Sequence, residues 1–170
     1  MKIKTVIITL FFLSTAIKPA GAHIAENSAE IKSKKTSKTD TRIITLTHYL
    51  SKKKSPLVNQ AEKFIQEADK NNLDWRLIPA IAGVESNFGK RIPTNSYNAY
   101  GWANGNYYFK SWENSIETVS KTLKTKYIDR GAIKIHQIAK IYAPPSSSWT
   151  NKVKYFTNQI DPTGIAFDIN

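Results

Sequence analysis

The strongest constraint on the fold is the spacing of apolar residues between positions 43 and 160. In five or six short stretches they recur every three or four residues, which is the period of an α-helix with one buried face. Pro and Gly residues separate the stretches, so a set of short helices packed on one core is predicted. The predicted helices cover residues 43–50, 57–68, 74–85, 111–127, 135–142 and 149–160. Asp74 and Ser111 stand where N-cap residues are expected.

One segment of the chain, residues 89–111, breaks this helical period and is rich in Tyr, Trp, Asn and Gly. Asn104-Gly105 stands between two aromatic-rich runs, and such a pair favours a tight hairpin turn. The predicted fold class is therefore α+β but predominantly helical, with five to six short helices and one small β-hairpin.

The N-terminus has the features of a signal peptide over residues 1–22. Lys2 and Lys4 form a positive start, residues 5–17 are apolar, and Ala20-Gly21-Ala22 is a small-residue cleavage site. The apolar stretch is shorter than the roughly 20 residues that span a bilayer. We therefore expect a protein that is secreted or held in the cell envelope; a buried N-terminal helix is the alternative interpretation.

Positive charge is concentrated in the segment that follows. The chain has 25 Lys and Arg against 13 acids, a net charge of +12, and residues 23–55 hold eight of the cations and three of the acids. Residues 23–41 contain too few apolar side chains to order themselves and are predicted to be a disordered basic tail. The tail could bind anionic wall polymers or act only as a solvated tether. Nucleic acid is not expected as the partner of an exported protein.

The residue inventory argues against several kinds of site. The absence of Cys excludes disulfides, thiolate metal sites and a Cys nucleophile. The three His residues are widely spaced, which argues against a His-rich metal site. We therefore expect no metal and no cofactor, and we expect a monomer.

Glu85 is the carboxylate with the least ordinary position. It ends an otherwise apolar helical stretch, with Phe88 and Gly89 one turn further on and the aromatic segment beyond. A carboxyl surrounded by apolar side chains is desolvated, which raises its pKa. A carboxyl that keeps its proton near neutral pH can act as a general acid on a glycosidic oxygen. The alternative is a capping or ion-paired Glu at a helix end.

The aromatic segment suits a sugar ligand. Aromatic rings match the apolar faces of sugar rings, and the neighbouring Asn amides match their hydroxyls. The alternative is that these rings fill the core, which we expect of Phe109 and Trp112. The rings within sixteen residues are Tyr97, Tyr100, Trp102, Tyr107, Tyr108, Phe109 and Trp112.

Three motifs in order resemble the lysozyme-like superfamily. Residues 85–89, Glu-Ser-Asn-Phe-Gly, are similar to the Glu-Ser signature of its transglycosylase branch. Residues 98–102, Asn-Ala-Tyr-Gly-Trp, resemble the Asn-x-aromatic-Gly segment of bacterial endo-β-N-acetylglucosaminidases. Tyr142-Ala143-Pro144, followed by Trp149 and Lys152-Val153, resembles a Tyr-Ala stretch near the end of the same domain.

The resemblance implies a lysozyme-like catalytic domain over residues 42–170 that acts on the glycan strands of peptidoglycan. It implies Glu85 as the catalytic acid and Tyr142 beside the reacting sugar. The chain departs from the pattern twice: the Gly-Leu-Met-Gln segment is replaced by residues 100–103, and Pro144-Pro145 stand where Thr-Asp is usual. The resemblance and the aromatic segment together predict five substrate-binding residues, namely Ser86, Tyr97, Asn98, Tyr100 and Trp102.

The reaction outcome depends on a second carboxylate. Conventional glycosidases use two, yet no acid lies between Glu85 and Glu113. A single carboxylate suffices if the substrate supplies its own nucleophile, so a lytic transglycosylase is favoured. A hydrolase, either an endo-β-N-acetylglucosaminidase or a muramidase, is the alternative. A non-catalytic cell-wall-binding module and a basic antimicrobial or adhesion factor are the alternatives without catalysis.

Overall fold

Six α-helices form most of the region that the computed structural model describes, residues 40–144 and 146–163. Short 3₁₀ turns lie at Val58–Gln60, Trp102–Gly105 and Ile128–Arg130, and a π-helical turn at Leu123–Tyr127 follows the fourth helix. The predicted signal peptide and tail lie outside the described residues, except for Asp40 and Thr41 at the first helix. The helices are α1 (Thr41–Lys52), α2 (Ala61–Lys70), α3 (Leu77–Ser86), α4 (Trp112–Thr122), α5 (Ile135–Tyr142) and α6 (Trp149–Ile160).

Helix α3 is the most buried element, and it runs through the core. Nearly all of its side chains are buried because the sequence from Leu77 to Val84 carries no charge. It packs mainly against α6, while α2 packs against both α1 and α4. A Cβ on Gly83 would lie 2.6 Å from the Phe88 ring, so this glycine gives Phe88 room to meet Phe156, whose ring centroid is 5.0 Å away. This packing of Phe88 in the core thus fixes the point at which α3 ends.

The N-terminus of α4 agrees with the sequence prediction, and that of α3 does not. Ser111 caps α4 as predicted, since its Oγ accepts a hydrogen bond from the Asn114 N–H at 3.1 Å. Asp74, predicted as the N-cap of α3, instead lies before the helix, which begins at Leu77. Its carboxylate pairs with the buried Arg76 side chain at 2.6 Å. The N-cap position is therefore Arg76, two residues later than predicted, after a turn in which the Asp74 carboxylate also accepts from the Arg76 N–H at 2.9 Å.

The predicted β-hairpin at Asn104-Gly105 is absent, and the described residues contain no strand. A left-handed 3₁₀ turn takes its place, with positive φ at Ala103 and Asn104. The Asn98 side chain binds both the N–H and the C=O of Trp102, at 3.1 and 2.9 Å. The Phe109 N–H donates to the Ser96 carbonyl instead of pairing across the turn. The Tyr107 N–H does donate across the turn to the Trp102 carbonyl at 3.3 Å, but within the described residues this bond is not extended into a two-stranded ladder.

The helices in the described part of the chain are all too short or too polar to cross a membrane.

Candidate functional site

Glu85 lies in the last turn of α3, where three parts of the fold meet. Its Oε1 accepts a hydrogen bond of 2.7 Å from the indole Nε1 of Trp149, the first residue of α6. On the other side, the backbone of Gly101 comes so close that a Cβ there would lie 3.0 Å from Glu85 Oε2. Gly101 also has φ +71°, which a glycine adopts without strain. The carboxyl is therefore fixed between α6 and the aromatic segment.

The surroundings of Glu85 raise its pKa. Burial is the largest cause, because it disfavours the charged form. The Trp149 hydrogen bond and the positive charge of Lys152 act in the opposite direction and offset part of the rise. Glu85 therefore holds its proton to higher pH than an exposed Glu, in an orientation set by the indole.

Two cavities meet at this carboxyl. The first, which we call the α6-side cavity, has a volume of about 590 Å³ and lies between the end of α3 and the first half of α6. The second, the loop-side cavity, has a volume of about 610 Å³ and lies between residues 100–104, Tyr127 and the end of α5. Glu85 lines both, so a ligand that extends through the two would pass over its carboxyl.

Tyr142 lines the loop-side cavity near Glu85. Its hydroxyl donates a 2.7 Å hydrogen bond to the Tyr100 carbonyl, and its ring lies 5.2 Å from that of Trp149. Burial, followed by the charge of Glu85, raises the pKa of Tyr142 well above its usual range. The hydroxyl therefore stays protonated and is held by the backbone of the loop.

Asn98 and Trp102 act as a pair. Asn98 is only 2% exposed, and both ends of its amide bind the backbone of Trp102. Trp102 is half-buried, lines the loop-side cavity and packs its ring against Tyr107 and Phe109. Asn98 thus positions the wall of the cavity from behind, and Trp102 forms it.

Ser86, Tyr97 and Tyr100 do not form a shared sugar-binding surface. The Ser86 hydroxyl is 2% exposed, donates towards the carbonyls of Ala82 and Ala99 and accepts from the Gly89 N–H. It therefore joins α3 to the aromatic segment and lines neither cavity. Tyr97 packs edge-on against Trp112 at 5.3 Å and also lines neither. Tyr100 borders the loop-side cavity but is 1% exposed.

The structure thus brings together four of the seven predicted site residues, Glu85, Tyr100, Trp102 and Tyr142, around the cavities. Trp149 and Gly101 lie against Glu85, although the sequence pattern predicts a site role for neither. Helical spacing predicts Trp149 only as part of a helix with a buried face. A buried indole N–H needs a hydrogen-bond acceptor, and that need is the sequence signal that could have pointed to a polar partner.

Among the residues that the structure describes, Glu85 is the only acid that lines either cavity. Glu113, the next acid in sequence, accepts a hydrogen bond from Gln60 at the exposed start of α4. Glu117 pairs with Lys70 on the surface between α2 and α4. Within the described ranges no group of three or more His, Asp or Glu side chains could hold a metal ion.

No model of a known protein family matches this chain, and no curated protein is significantly similar to it.

Proposed function

We propose that this protein is an exported enzyme that cuts the glycan strands of peptidoglycan, with Glu85 as its general acid. The observation that carries the proposal is the placement of one desolvated, hydrogen-bonded carboxyl where two cavities meet. An extended sugar chain fits such an arrangement, since its scissile bond would lie over the carboxyl. The aromatic wall around Trp102 suits the apolar faces of sugar rings.

The favoured reaction is that of a lytic transglycosylase, because the described part of the chain places no second carboxylate in the two cavities. Protonated Glu85 gives its proton to the glycosidic oxygen as the bond to the anomeric carbon breaks. The 6-hydroxyl of the same muramic acid then bonds to that carbon, and the Glu85 carboxylate takes the hydroxyl proton. The product is a 1,6-anhydro sugar, no water is consumed, and Glu85 ends protonated as it began.

The groups around Glu85 position the carboxyl and the cavity walls, and we assign no proton transfer to them. The Trp149 indole holds Glu85 Oε1 at 2.7 Å, which leaves Oε2 on the side of Gly101 and the loop. Tyr142 donates its hydroxyl to a backbone carbonyl, so we assign it to shaping the loop-side cavity. Ser86 holds the loop against α3 through the Ala99 carbonyl, and Asn98 fixes the loop internally at Trp102.

Digestion of purified peptidoglycan in ¹⁸O-water distinguishes the reaction outcomes. A lytic transglycosylase leaves the new sugar ends unlabelled and in the anhydro form. One ¹⁸O in a reducing end would identify a hydrolase and a water activated by another group. Binding to the wall without any release of soluble sugar would instead identify a non-catalytic wall-binding module.

Glu85→Gln tests the role of the carboxyl. The amide can still accept from Trp149 but has no proton to transfer, so the rate of strand cleavage should fall on the order of 10²- to 10⁴-fold. Glu113→Gln is the matched control, because it removes an exposed carboxylate outside both cavities. If Glu85→Gln cleaves at the wild-type rate, Glu85 has only a structural role and the proposed mechanism fails.

A further inference from the structure

The two cavities beside Glu85 differ in charge. The α6-side cavity is lined by Arg91 and Lys152, whereas no cation is found among the described residues that line the loop-side cavity. The two cations come from opposite walls: Arg91 from the turn after α3, and Lys152 from α6, one turn beyond Trp149. A neutral sugar chain gives no reason for this asymmetry.

The backbone of Arg91 is held by a hydrogen bond, whereas its side chain has no ion-pair partner among the described residues. Its N–H donates to the Ser86 carbonyl at 2.9 Å, which anchors the residue to the end of α3. Neither Arg91 nor Lys152 forms an ion pair with another residue in the described ranges. Both side chains are exposed, and Arg91 is available to an anionic ligand. The charge of Lys152 also acts on Glu85, and its exposed ammonium can contact a ligand carboxylate beside that carboxyl.

The rest of the lining suits a peptide more than a bare anion. The ring of Tyr155 is 56% exposed and packs against Phe156, which gives the cavity an apolar side. Asn87 and Asn151 add amides that can exchange hydrogen bonds with peptide groups. Cations, amides and an apolar ring together match a short peptide with free carboxylates.

We propose that the α6-side cavity binds the carboxylate-bearing stem peptides of the glycan strand, with Arg91 and Lys152 as the residues that determine specificity. This inference rests on the proposed function in one respect, that the ligand is a peptidoglycan strand. The stem peptide of the sugar on this side of Glu85 enters the α6-side cavity, while the sugars beyond Glu85 lie in the neutral loop-side cavity.

The test is a binding measurement in the full chain carrying Glu85→Gln, so that strands are not cut. Calorimetric titration compares soluble peptide-bearing strands with the same strands after carbodiimide amidation, which neutralises their carboxylates. Amidation should weaken binding by about three- to twentyfold, the effect of two partly exposed ion pairs. The difference should shrink as salt is added.

A charge-matched pair of variants separates this cavity from the general basic character of the chain. Arg91→Gln with Lys152→Gln should abolish most of the amidation effect. Lys126→Gln with Arg130→Gln removes the same charge from exposed positions outside both cavities and should preserve it. An amidation effect that is equal in both double variants would overturn the proposal.

A third ligand identifies the source of the carboxylate. Strands stripped of their peptides by an amidase carry a lactyl carboxylate on each muramic acid but no peptide. We expect them to bind more weakly than the peptide-bearing strands, and equal binding would overturn the assignment to stem peptides. No step of this test depends on cleavage. A failure of the catalytic proposal alone would therefore appear in the ¹⁸O digestion and in the cleavage rate of Glu85→Gln, and not in these binding measurements.

Discussion

The helical frame and the loop segment of residues 87–109 are stabilised in different ways. The frame is held by apolar burial spread over many side chains, such as Leu46, Ile81 and Val153, all of them fully buried. The loop segment buries fewer apolar side chains, among them Phe88, Tyr100 and Phe109. It depends in addition on single polar contacts, those of Ser86, Ser96 and Asn98 among them. A distributed core tolerates change at most positions, whereas a segment held by single contacts changes shape when one is lost.

Backbone strain is distributed just as unequally. In the frame, positive φ values among the described residues occur at helix ends, at Lys54, Asn72 and Gly131. Three of those in the loop segment are consecutive, directly after α3. Such strain concentrates at functional sites and persists where the surroundings hold it in place. The loop residues with positive φ are Asn87, Phe88, Gly89, Asn95, Tyr97, Gly101, Ala103, Asn104 and Gly105.

Two buried asparagines offer the sharpest test of this difference. Asn98→Ala leaves the N–H of Trp102 without its side-chain acceptor, and Asn71→Ala removes the amide that donates to the Glu67 carbonyl at the end of α2. Each should lower the free energy of unfolding by about 1–3 kcal/mol. Asn98→Ala should also slow strand cleavage on the order of 10- to 100-fold, because it releases a wall of the loop-side cavity. Asn71→Ala should leave the rate unchanged at low temperature.

The measurements are urea unfolding and the rate of sugar release at one temperature well below both transitions. Equal activity losses in the two variants would mean that activity is no more sensitive to a lost contact in the loop segment than to one in the frame. The proposed difference between the two regions would then be refuted.

Gly101→Ala should show a smaller effect of the same kind. The added methyl group meets Glu85 Oε2 at 3.0 Å, and the positive φ costs about 1–2 kcal/mol in a non-glycine residue. Gly131→Ala is the control, since it has φ +93° and nothing within 4 Å of the new methyl group. Both variants should lose thermal stability, but only Gly101→Ala should lower kcat. A kcat loss in Gly131→Ala as large as that in Gly101→Ala would show that backbone strain alone explains the result.

Glu85→Gln should change stability in a direction set by pH. Burial raises the pKa of Glu85 in the folded state above its usual value of 4.5. The folded state therefore holds the proton more tightly, and the ionised carboxylate lowers stability as pH rises from 4.5 through the folded-state pKa. The Gln variant should have the higher Tm at pH 7, and the two proteins should converge below pH 4.5. A variant with the lower Tm at pH 7 would show that the carboxylate stabilises the fold.

Deletion of residues 23–39 should have the smallest effect on the fold. This segment contains few apolar side chains, so its loss should leave Tm nearly unchanged. Binding to wall material at low salt should weaken, because several Lys residues are removed. Calorimetry and a sedimentation assay at two salt concentrations test this, and a large fall in Tm would show that the segment packs on the frame.

The sequence predicted the helices well and the loop poorly, for a physical reason. Helical spacing located α1 to α6 because buried faces repeat every three or four residues. The aromatic segment was predicted as a hairpin from Asn104-Gly105, and a left-handed turn does occur there. Flanking strands are not formed in the described residues: the Tyr107 N–H does bond across the turn to Trp102, but the Phe109 N–H bonds to the Ser96 carbonyl and the Trp102 N–H to the Asn98 side chain. Such contacts depend on single side chains and have no period to detect.

Within the site, the sequence located the central carboxyl but not its supporting contacts. Glu85 stood out because a charge ends an apolar helix. The Trp149 indole reaches it from 64 residues away, and no local pattern records such a contact. Ser86 and Asn98 are predicted to contact substrate, yet both side chains bind backbone groups of the protein instead.

The hydrogen bond between Trp149 and Glu85 also determines when the site can exist during biosynthesis. Its two residues are 64 positions apart, and the Tyr142 contact to the loop spans 42. Contacts this distant form late, because the chain entropy of the intervening segment must be lost first. While the chain is still being synthesised, α3 already carries its carboxyl before Trp149 of α6 is present to hold it. The geometry of the site therefore forms only once the last helix has docked, so a complete chain that has not yet folded carries every site residue without an assembled site.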